Sequence, residues 1–411
     1  MSIDSDPPEL AEIERALCVT TERLTAELGT PSRTAPQWSD FEWQIAQAAA
    51  AMHGISPVLS HWLLWEGPAS WQRFLQQQQD HTYRRHLRFE SLLQELDTQA
   101  RAAGIPFVPL KGVALHGLGV YVAGERPMAD IDILVAERDR EASMRLLQRL
   151  AYRESVSTWR NAVFETGETQ QVGPFGEHCA NPIKVELHCL VAERQPAFEK
   201  NISSCIWPDH PQPGANAYRS VPSLMTHLIL HAFGSMCDAG LRAIQLHDIA
   251  LLARRMSEDD WRQLLCGPAM AERWWLIPPL QCLLRYYPTS VPVEAVMQAQ
   301  SHRPRFARWM DRSELISHVS LSCARVRAFP ALCRAGSLEE LCRYVGRRIR
   351  PEHDVVKVRR DNAIRHPGAA RDRWAHLSQG RRILHWLVSR PARMETMSSV
   401  RAALSRTDAM T

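Results

Sequence analysis

A pair of aspartates inside an apolar run constrains the fold of this chain more than any other feature. Residues 126–135 read RPMADIDILV, so Asp130 and Asp132 stand one residue apart among isoleucine, leucine and valine. In a β-strand, residues i and i+2 point to the same face, so both carboxylates project from one side. Carboxylates are costly to bury unless they meet a cation or hydrogen-bond donors. The stretch therefore predicts a core strand whose polar face needs a positive partner.

A second apolar run repeats this arrangement further along the chain. In the stretch IKVELHCLV, the residues Lys184, Glu186 and His188 alternate with apolar ones and share one face of a predicted strand. If the two strands are neighbours, Glu186 completes a cluster of three carboxylates with the aspartate pair. Such carboxylates repel one another, and a shared Mg²⁺ ion, which prefers oxygen ligands, resolves this repulsion. The cluster also suits a pair of metal ions about 3.5–4 Å apart.

The segment before the aspartates supplies a turn and positive charge. The sequence PLKG places Lys111 and Gly112 between a short apolar run and a helix-like segment. Gly112 allows a substrate to approach the backbone, and the free N–H groups at a helix start favour a phosphate. Lys111 adds a compact positive charge, and Arg126 adds a forked one. We therefore expect this segment to bind phosphate.

Each of these signals has an ordinary structural explanation when it is taken alone. A D-x-D pattern on a strand is more often a solvated face than a metal site, and Lys-Gly before a helix is common turn chemistry. The ordered combination is more specific, because a Lys-Gly turn, a D-x-D strand and a later strand with an outward glutamate follow one another. Together they favour a metal-dependent site.

Short strands alternate with helices in the middle of the chain, which predicts an α/β (α+β) fold with a small mixed sheet. Apolar residues repeat with helical spacing before this region and again after residue 222. Prolines and small polar residues at 207–222 predict a linker. We expect a helical N-terminal region at 1–81, the α/β core at 82–206, a helical module at 207–330 and an arginine-rich helical C-terminal region at 331–411.

Composition limits the class of protein. Of the 411 residues, 45% are hydrophobic and 23% are charged, which is typical of a globular chain. A formal charge of +4 is too small to favour a nucleic-acid partner. The ten cysteines form no C-x-x-C pair, so neither a zinc site nor a disulfide framework is indicated. An acidic, polar N-terminus and the lack of an apolar run of about 18 residues predict a cytoplasmic protein without a membrane span.

With these residues in place, the segment resembles the nucleotidyltransferase superfamily of DNA polymerase β, and most of all its branch of uncharacterised nucleotidyltransferases. Superfamily members show a glycine turn that opens a helix, then a D-h-D strand, then an h-E-h strand. These correspond here to LKG ending at Gly112, DID at 130–132 and VEL at 185–187. The lysine before the glycine, Arg126 and His188 resemble traits of the branch. The likeness spans roughly residues 82–260, although the glycine turn lies farther upstream than in most superfamily members.

The resemblance implies a metal-dependent transfer reaction. Asp130, Asp132 and Glu186 are then catalytic residues and ligands of two Mg²⁺ ions, with Mn²⁺ as an alternative ion. An acceptor hydroxyl would attack the α-phosphate of an NTP donor, and pyrophosphate would leave. Glu186 would act as a metal ligand or as the base that takes the proton, and the sequence does not separate these roles. The residues implied to bind the nucleotide are Lys111, Gly112 and Arg126.

Four further polar residues are assigned to the acceptor side or to structure: Lys184, His188, His231 and Asp248. His231 follows His227 by four residues, the spacing of a helical metal pair. The chain has no H-E-x-x-H pattern there, so packing of a helix against the sheet is favoured. The acceptor is expected to be a small molecule, a peptide or a protein, and the NTP and the oligomeric state are left open. The alternative function is a nucleotide- or partner-binding module without turnover.

Overall fold

The chain folds into a mixed six-stranded sheet with helices before and after it, so the predicted fold class is confirmed. The computed structural model describes residues 8–167, 178–193, 196, 199–265, 272–309, 315–351 and 377–405. The strands are β1 Pro106–Pro109, β2 Asp130–Val135, β3 Arg153–Ser157, β4 Asn161–Glu165, β5 Lys184–His188, β6 Ala192–Glu193, β7 Lys200–Asn201 and β8 Gly214–Ala215.

Along the chain, helices both precede and follow the strands of the sheet. Those that precede or interrupt the strands are α1 Leu10–Gly29, α2 Asp40–His53, α3 Ser56–Trp62, α4 Ala69–Ala102, α5 Lys111–Gly117, α6 Arg140–Arg149 and α7 Ser203–Ile206. Those that follow are α8 Val221–Cys237, α9 Ala243–Ala253, α10 Glu258–Leu265, α11 Ile277–Tyr286, α12 Val293–Gln300, α13 Arg305–Trp309, α14 Ile316–Val319, α15 Leu338–Ile349, α16 Gln379–Ser389 and α17 Met394–Leu404.

The strand order of the sheet is β3-β4-β5-β2-β1-β8. Strands β2 and β5 are adjacent and parallel, whereas β1 runs antiparallel to β2, and β4 runs antiparallel to β5. In the parallel pair, Asp132 lies opposite Glu186 and Asp130 lies opposite Lys184. The two strands that carry the predicted site are therefore neighbours.

The two faces of the sheet enter different parts of the core. Ile131 and Ile133 of β2 are buried in one cluster with Phe89 of α4 and Leu146 of α6. Leu134 points to the opposite face and joins a second, larger cluster built by the helices. Burying each such side chain contributes roughly 1.5–3 kcal/mol to folding. The alternation of β2 thus places its aspartates on the face that meets the helical cluster.

Helix α8 closes this polar face of the sheet. It begins where Ser220 accepts a hydrogen bond from the Ser223 N–H (3.3 Å), with Pro222 in its first turn. The predicted apolar stripe is confirmed, because every one of its residues is buried: Met225, Leu228, Ile229, Ala232, Phe233 and Met236.

The segment predicted as a linker contributes an edge strand to the sheet. In β8, Gly214 pairs with Pro106 of β1, and the Gly214 N–H donates to the Ile105 carbonyl (2.9 Å). Gly214 has φ +92, and a Cβ there would lie 2.4 Å from a carboxylate oxygen of Asp97. Such an edge is held by backbone hydrogen bonds and needs no apolar pattern, so composition did not reveal it.

The predicted division into four regions stays a prediction. Helix α4 runs without interruption across the expected boundary at residues 81 and 82. The N-terminal helices also share one hydrophobic cluster with α8, α9 and α11. Most of the arginine-rich stretch at 345–367 lies outside the described residues. Among the described helices, none combines the length and the apolar character needed to cross a bilayer.

A buried histidine joins α2 to α9. The Ala243 N–H donates to His53 Nδ1 (2.9 Å), and His53 Nε2 contacts Ser322 Oγ (2.9 Å). Burial, with a smaller effect of Arg242, lowers the pKa of His53 to about 3. The neutral ring is therefore the form that the fold accepts.

We expect acid to remove the contribution of His53. Its pKa in the unfolded chain is about 6.5, so the contribution is full above that pH and declines as the pH falls towards the folded value. The loss is about 1.4 kcal/mol per pH unit. Urea unfolding between about pH 7 and 4.5 should give a flatter profile for His53→Gln than for the wild type. The exposed control His210→Gln should follow the wild type, and equal slopes for both variants would contradict the assignment.

Candidate active site

Asp132 is the centre of a buried polar cluster on the helical side of the sheet. Its carboxylate accepts hydrogen bonds from Lys111 Nζ (3.0 Å) and lies 2.9 Å from His188 Nε2. The residue is only 6% exposed. Burial by itself would raise the pKa of Asp132, but Lys111 and His188 hold it well below its usual range. Asp132 is therefore a permanent anion at neutral pH.

Glu186 extends the cluster from the neighbouring strand. Its Oε2 accepts a hydrogen bond from Asn161 Nδ2 (2.8 Å) and lies 3.5 Å from His188 Nε2. Burial would lower the pKa of His188, but the hydrogen bonds to Asp132 and Glu186 raise it. His188 thus links the two carboxylates across adjacent strands.

Lys111 enters the cluster from the turn between β1 and α5. Its φ of +49 is in the left-handed region, which costs a residue with a side chain about 1 kcal/mol or more. Tyr218 Oη accepts a hydrogen bond from the Lys111 N–H (3.3 Å), and the Leu110 N–H donates to the Asp132 carbonyl (2.9 Å). This unusual backbone conformation directs the ammonium group towards Asp132.

The pKa of Lys111 is raised although its side chain is mostly buried. Burial opposes its charge, but Asp132, then Asp130 and Glu186, more than compensate. Asp130 also contributes to the raised pKa of Arg126. The Asp130 carboxylate therefore lies near both cations, half-buried at the start of β2.

Arg126 and Asp248 form a buried ion pair beside this cluster. Arg126 Nε and Nη2 each donate to one carboxylate oxygen of Asp248, both at 2.8 Å. The hydroxyl of Tyr121 donates to the same carboxylate (2.7 Å). A Cβ at Gly112 would lie 2.1 Å from Arg126 Nη1, so this glycine provides the space that the guanidinium occupies. The structure thus places Arg126 on a partner in α9.

A small cavity that opens to solvent adjoins the cluster. Its polar wall includes Lys111, Arg160, His188, His227 and His231. Burial, followed by the charge of Lys111, holds the pKa of His231 well below its usual range, and the same causes act on His227. The cavity wall therefore combines the cations Lys111 and Arg160 and the carboxylate Glu193 with the imidazoles of His227 and His231, whose pKa values are lowered.

The sequence of residues 39–289 matches the family described as uncharacterised nucleotidyltransferases. The matched segment is more than half of the chain and contains every strand and helix that forms the cluster and the cavity. The chain belongs to this family. No curated protein and no solved structure matches it. Membership supports a nucleotidyltransferase activity, and with it an NTP donor.

In this nucleotidyltransferase, one group of site residues fits a divalent cation. Ligand atoms of Asp132, Glu186 and His188 all lie within 4.8 Å of one another. Two carboxylates suit Mg²⁺ and Mn²⁺, and the imidazole is better suited to Mn²⁺. Asp130 is not in this group, although it lies on the same face of β2. The donor set described here suits one ion.

The other predicted residues, Lys184, His231 and Asp248, lie outside the group that fits a cation. Lys184 lies opposite Asp130 in the sheet, and its Nζ pairs with Glu165 (2.8 Å) at a half-exposed position. His231 is brought to the cavity with Lys111, whereas Asp248 is held in the separate ion pair with Arg126.

Sequence reasoning missed Arg85, which holds the starts of both site strands. Its guanidinium donates to the carbonyls of Met128 (2.8 Å) and Ala129 (3.0 Å), just before β2, and of Asn181 (2.7 Å), before β5. The sequence could have indicated a buried role for Arg85, because it lies four residues before Phe89 and so shares the apolar face of α4. A charged residue at such a position must find a buried partner.

Proposed function

We propose that this protein is a Mg²⁺-dependent nucleotidyltransferase that transfers NMP from an NTP to a hydroxyl of a small molecule, a peptide or a protein. The acceptor oxygen forms a bond to the α-phosphorus, the bond from that phosphorus to the bridging oxygen breaks, and pyrophosphate leaves. The observation that carries this proposal is the pairing of Asp132 with Glu186 on adjacent parallel strands, with His188 between them.

Asp132, Glu186 and His188 are the residues that would hold the cation, with Asp130 nearby on the same face. When bound, Mg²⁺ supplies positive charge that offsets the negative charge of the triphosphate. A second ion, which the family resemblance implies, would need Asp130 as well. Cation binding is supported by the two carboxylates of Asp132 and Glu186, which face each other on adjacent strands.

Lys111 would receive phosphate oxygens, together with Arg160, which also donates to Glu193 (2.7 Å). Both lie on the cavity wall beside the cluster. Burial opposes the charge of Arg160, but Glu193 raises its pKa, so it stays charged. Lys111 would exchange its contact with Asp132 for a phosphate oxygen of the bound donor. The two side chains therefore orient the donor without taking part in bond formation.

The acceptor would enter through the cavity. His231 stays neutral because burial lowers its pKa, but the same shift makes it a weak base, so it is better suited to a hydrogen bond with the acceptor. Glu186 is the candidate base, with one oxygen already bound by Asn161. The residues that line the cavity include no phenylalanine, tyrosine or tryptophan on which bases could stack, so a small polar acceptor suits it better than a nucleic acid strand.

A binding module without turnover is the second candidate. Lys111 and His188 already satisfy Asp132, which is what a purely structural carboxylate would require. In that case the protein would bind a nucleotide or a partner and release no pyrophosphate.

The deciding experiment supplies the full chain with Mg²⁺ and each of the four NTPs labelled at the α-phosphate, with and without extract of the producing cells. We expect label to appear on an acceptor from the extract, with equal pyrophosphate, and EDTA to abolish both. Nucleotide binding by equilibrium dialysis, with no label transferred from any NTP, would contradict the enzyme and support the module.

A further inference from the structure

A second group of metal-ligating side chains lies outside the candidate active site. It consists of His81 on α4 and of His178 and Cys179, which precede β5. Their ligand atoms all lie within 4.8 Å of one another, and the two imidazole rings are 4.5 Å apart at their centroids. All three residues are half-exposed, so the group is open to solvent. It shares no residue with the cluster around Asp132.

The chemistry of this group differs from that of the carboxylate cluster. A thiolate and two imidazoles are soft and borderline ligands, which favour Zn²⁺ and related transition metals over Mg²⁺. Bonds of about 2.3 Å to sulfur and about 2.0 Å to nitrogen place tetrahedral ligand atoms roughly 3.3–3.6 Å apart. Donors within 4.8 Å of one another therefore need to approach by at most about 1.5 Å. Half-exposed side chains can do this by small rotations.

The backbone that carries two of the ligands is held in place before any ion binds. His81, Arg85 and Arg88 follow one another at i, i+4 and i+7, so they share one face of α4. Arg85 and Arg88 both donate to the Asn181 carbonyl, at 2.7 and 2.9 Å, and Arg88 also donates to the Cys179 carbonyl. Because the guanidinium groups order this segment, less conformational entropy is lost on metal binding.

His178 is present in a form that can ligate. The Ala180 N–H donates to His178 Nδ1 (3.2 Å), so that nitrogen carries a lone pair and no proton. A metal ion would take over this lone pair at the cost of one exposed hydrogen bond.

We infer that His81, His178 and Cys179 bind a zinc-type transition-metal ion through two imidazoles and one thiolate, with the fourth position open to water. Binding releases the thiol proton of Cys179 to solvent. The ion links α4 to the segment that leads into β5, and so it fixes the strand that carries Glu186 and His188.

Cobalt titration of the full chain tests this site, because a thiolate bound to Co²⁺ gives a charge-transfer absorption that carboxylates and imidazoles lack. The titration is run under reducing conditions in excess Mg²⁺. We expect the absorption to saturate at one Co²⁺ per chain and to be displaced by Zn²⁺. Cys179→Ser should abolish it, and His81→Gln should weaken Co²⁺ binding at least about tenfold.

Cys205→Ser is the matched control, since Cys205 is another half-buried cysteine. It should keep the full absorption. Circular dichroism checks that every variant is folded. Cobalt held only at Asp132, Glu186 and His188 would give no thiolate absorption. That result, or an absorption that survives in Cys179→Ser, would overturn the assignment.

Discussion

Replacing Asp132 with asparagine is expected to lower nucleotidyl transfer by about 10²–10³-fold while the fold is retained. The asparagine keeps the size of the side chain but removes the negative charge that faces Lys111, His188 and the proposed cation. Transfer is measured with the labelled NTP that the wild type uses, at saturating Mg²⁺. Because the substitution removes charge at the reacting centre, the loss should be in kcat more than in KM for the acceptor.

Stability must be followed in the same variant. Asp132→Asn leaves the Lys111 ammonium buried, with only Asp130 and Glu186 to offset its charge. We expect a loss of about 3 kcal/mol in the free energy of unfolding. Activity is therefore compared at a temperature at which circular dichroism shows both proteins to be folded.

A matched control separates the site from a general effect of lost charge. Asp259→Asn removes a carboxylate that is 86% exposed on α10, and it should change neither activity nor stability measurably. Full Mg²⁺-dependent transfer by folded Asp132→Asn would show that the reaction does not use this carboxylate.

Replacing Asp248 with asparagine is expected to destabilise the protein by about 3–5 kcal/mol, because it leaves the Arg126 guanidinium buried without its counter-ion. The Arg126 side chain is 12% exposed and the Asp248 side chain 2%. Burial opposes the charge of Arg126, but Asp248 raises its pKa, so the arginine stays charged at every accessible pH. Urea unfolding at neutral pH gives the free energy.

Removing both charged groups tests the ion pair independently of the buried, unpaired charge that a single substitution leaves. The double variant Arg126→Met/Asp248→Leu removes both charges. It should lower the free energy of unfolding by less than the sum of the losses measured for Arg126→Met and Asp248→Leu. Glu339→Gln, in an exposed ion pair with Arg343 on α15, is the control and should cost less than about 1 kcal/mol.

Gly112 provides an independent test of the same contact. Gly112→Ala would push the guanidinium of Arg126 away from Asp248 and should also destabilise the protein. Gly117→Ala, in the same helix, has open space around the added methyl group and should be neutral or slightly stabilising. Losses below about 1 kcal/mol in the free energy of unfolding for both Asp248→Asn and Gly112→Ala would contradict a stabilising role of the pair between Arg126 and Asp248.

The periodic parts of the fold could be read from the sequence. A period of two in DIDILV and VEL assigned the faces of β2 and β5, and a helical stripe assigned the buried face of α8, because both patterns are local properties of the backbone. The edge strand at Gly214–Ala215 and the hairpin of β3 and β4 escaped this reasoning. The pairing of Gly214–Ala215 is carried by backbone groups, and the apolar pattern of β4 is limited to Ala162, Val163 and Phe164, which is too short to predict a strand.

The candidate site was predictable in its residue types and less so in its partners. Asp132 and Glu186 were expected to meet, and the register places them opposite one another. The same register brought His188 into the ligand group, in which Asp130 is absent. Arg126 donates to Asp248, 122 residues away in the chain, a partner that no local pattern indicated, and its predicted role in phosphate binding stays a prediction.

Sequence alone therefore determined which side chains share a face and which segments are buried, since those follow from backbone geometry and hydrophobic spacing. Only the tertiary structure decided which cation neutralises which carboxylate. That choice depends on distances between segments far apart in the chain, which are set by the packing of the helices with one another and around the sheet. Arg85 illustrates the reason: its carbonyl partners lie 43 to 97 residues away, and no local pattern encodes them.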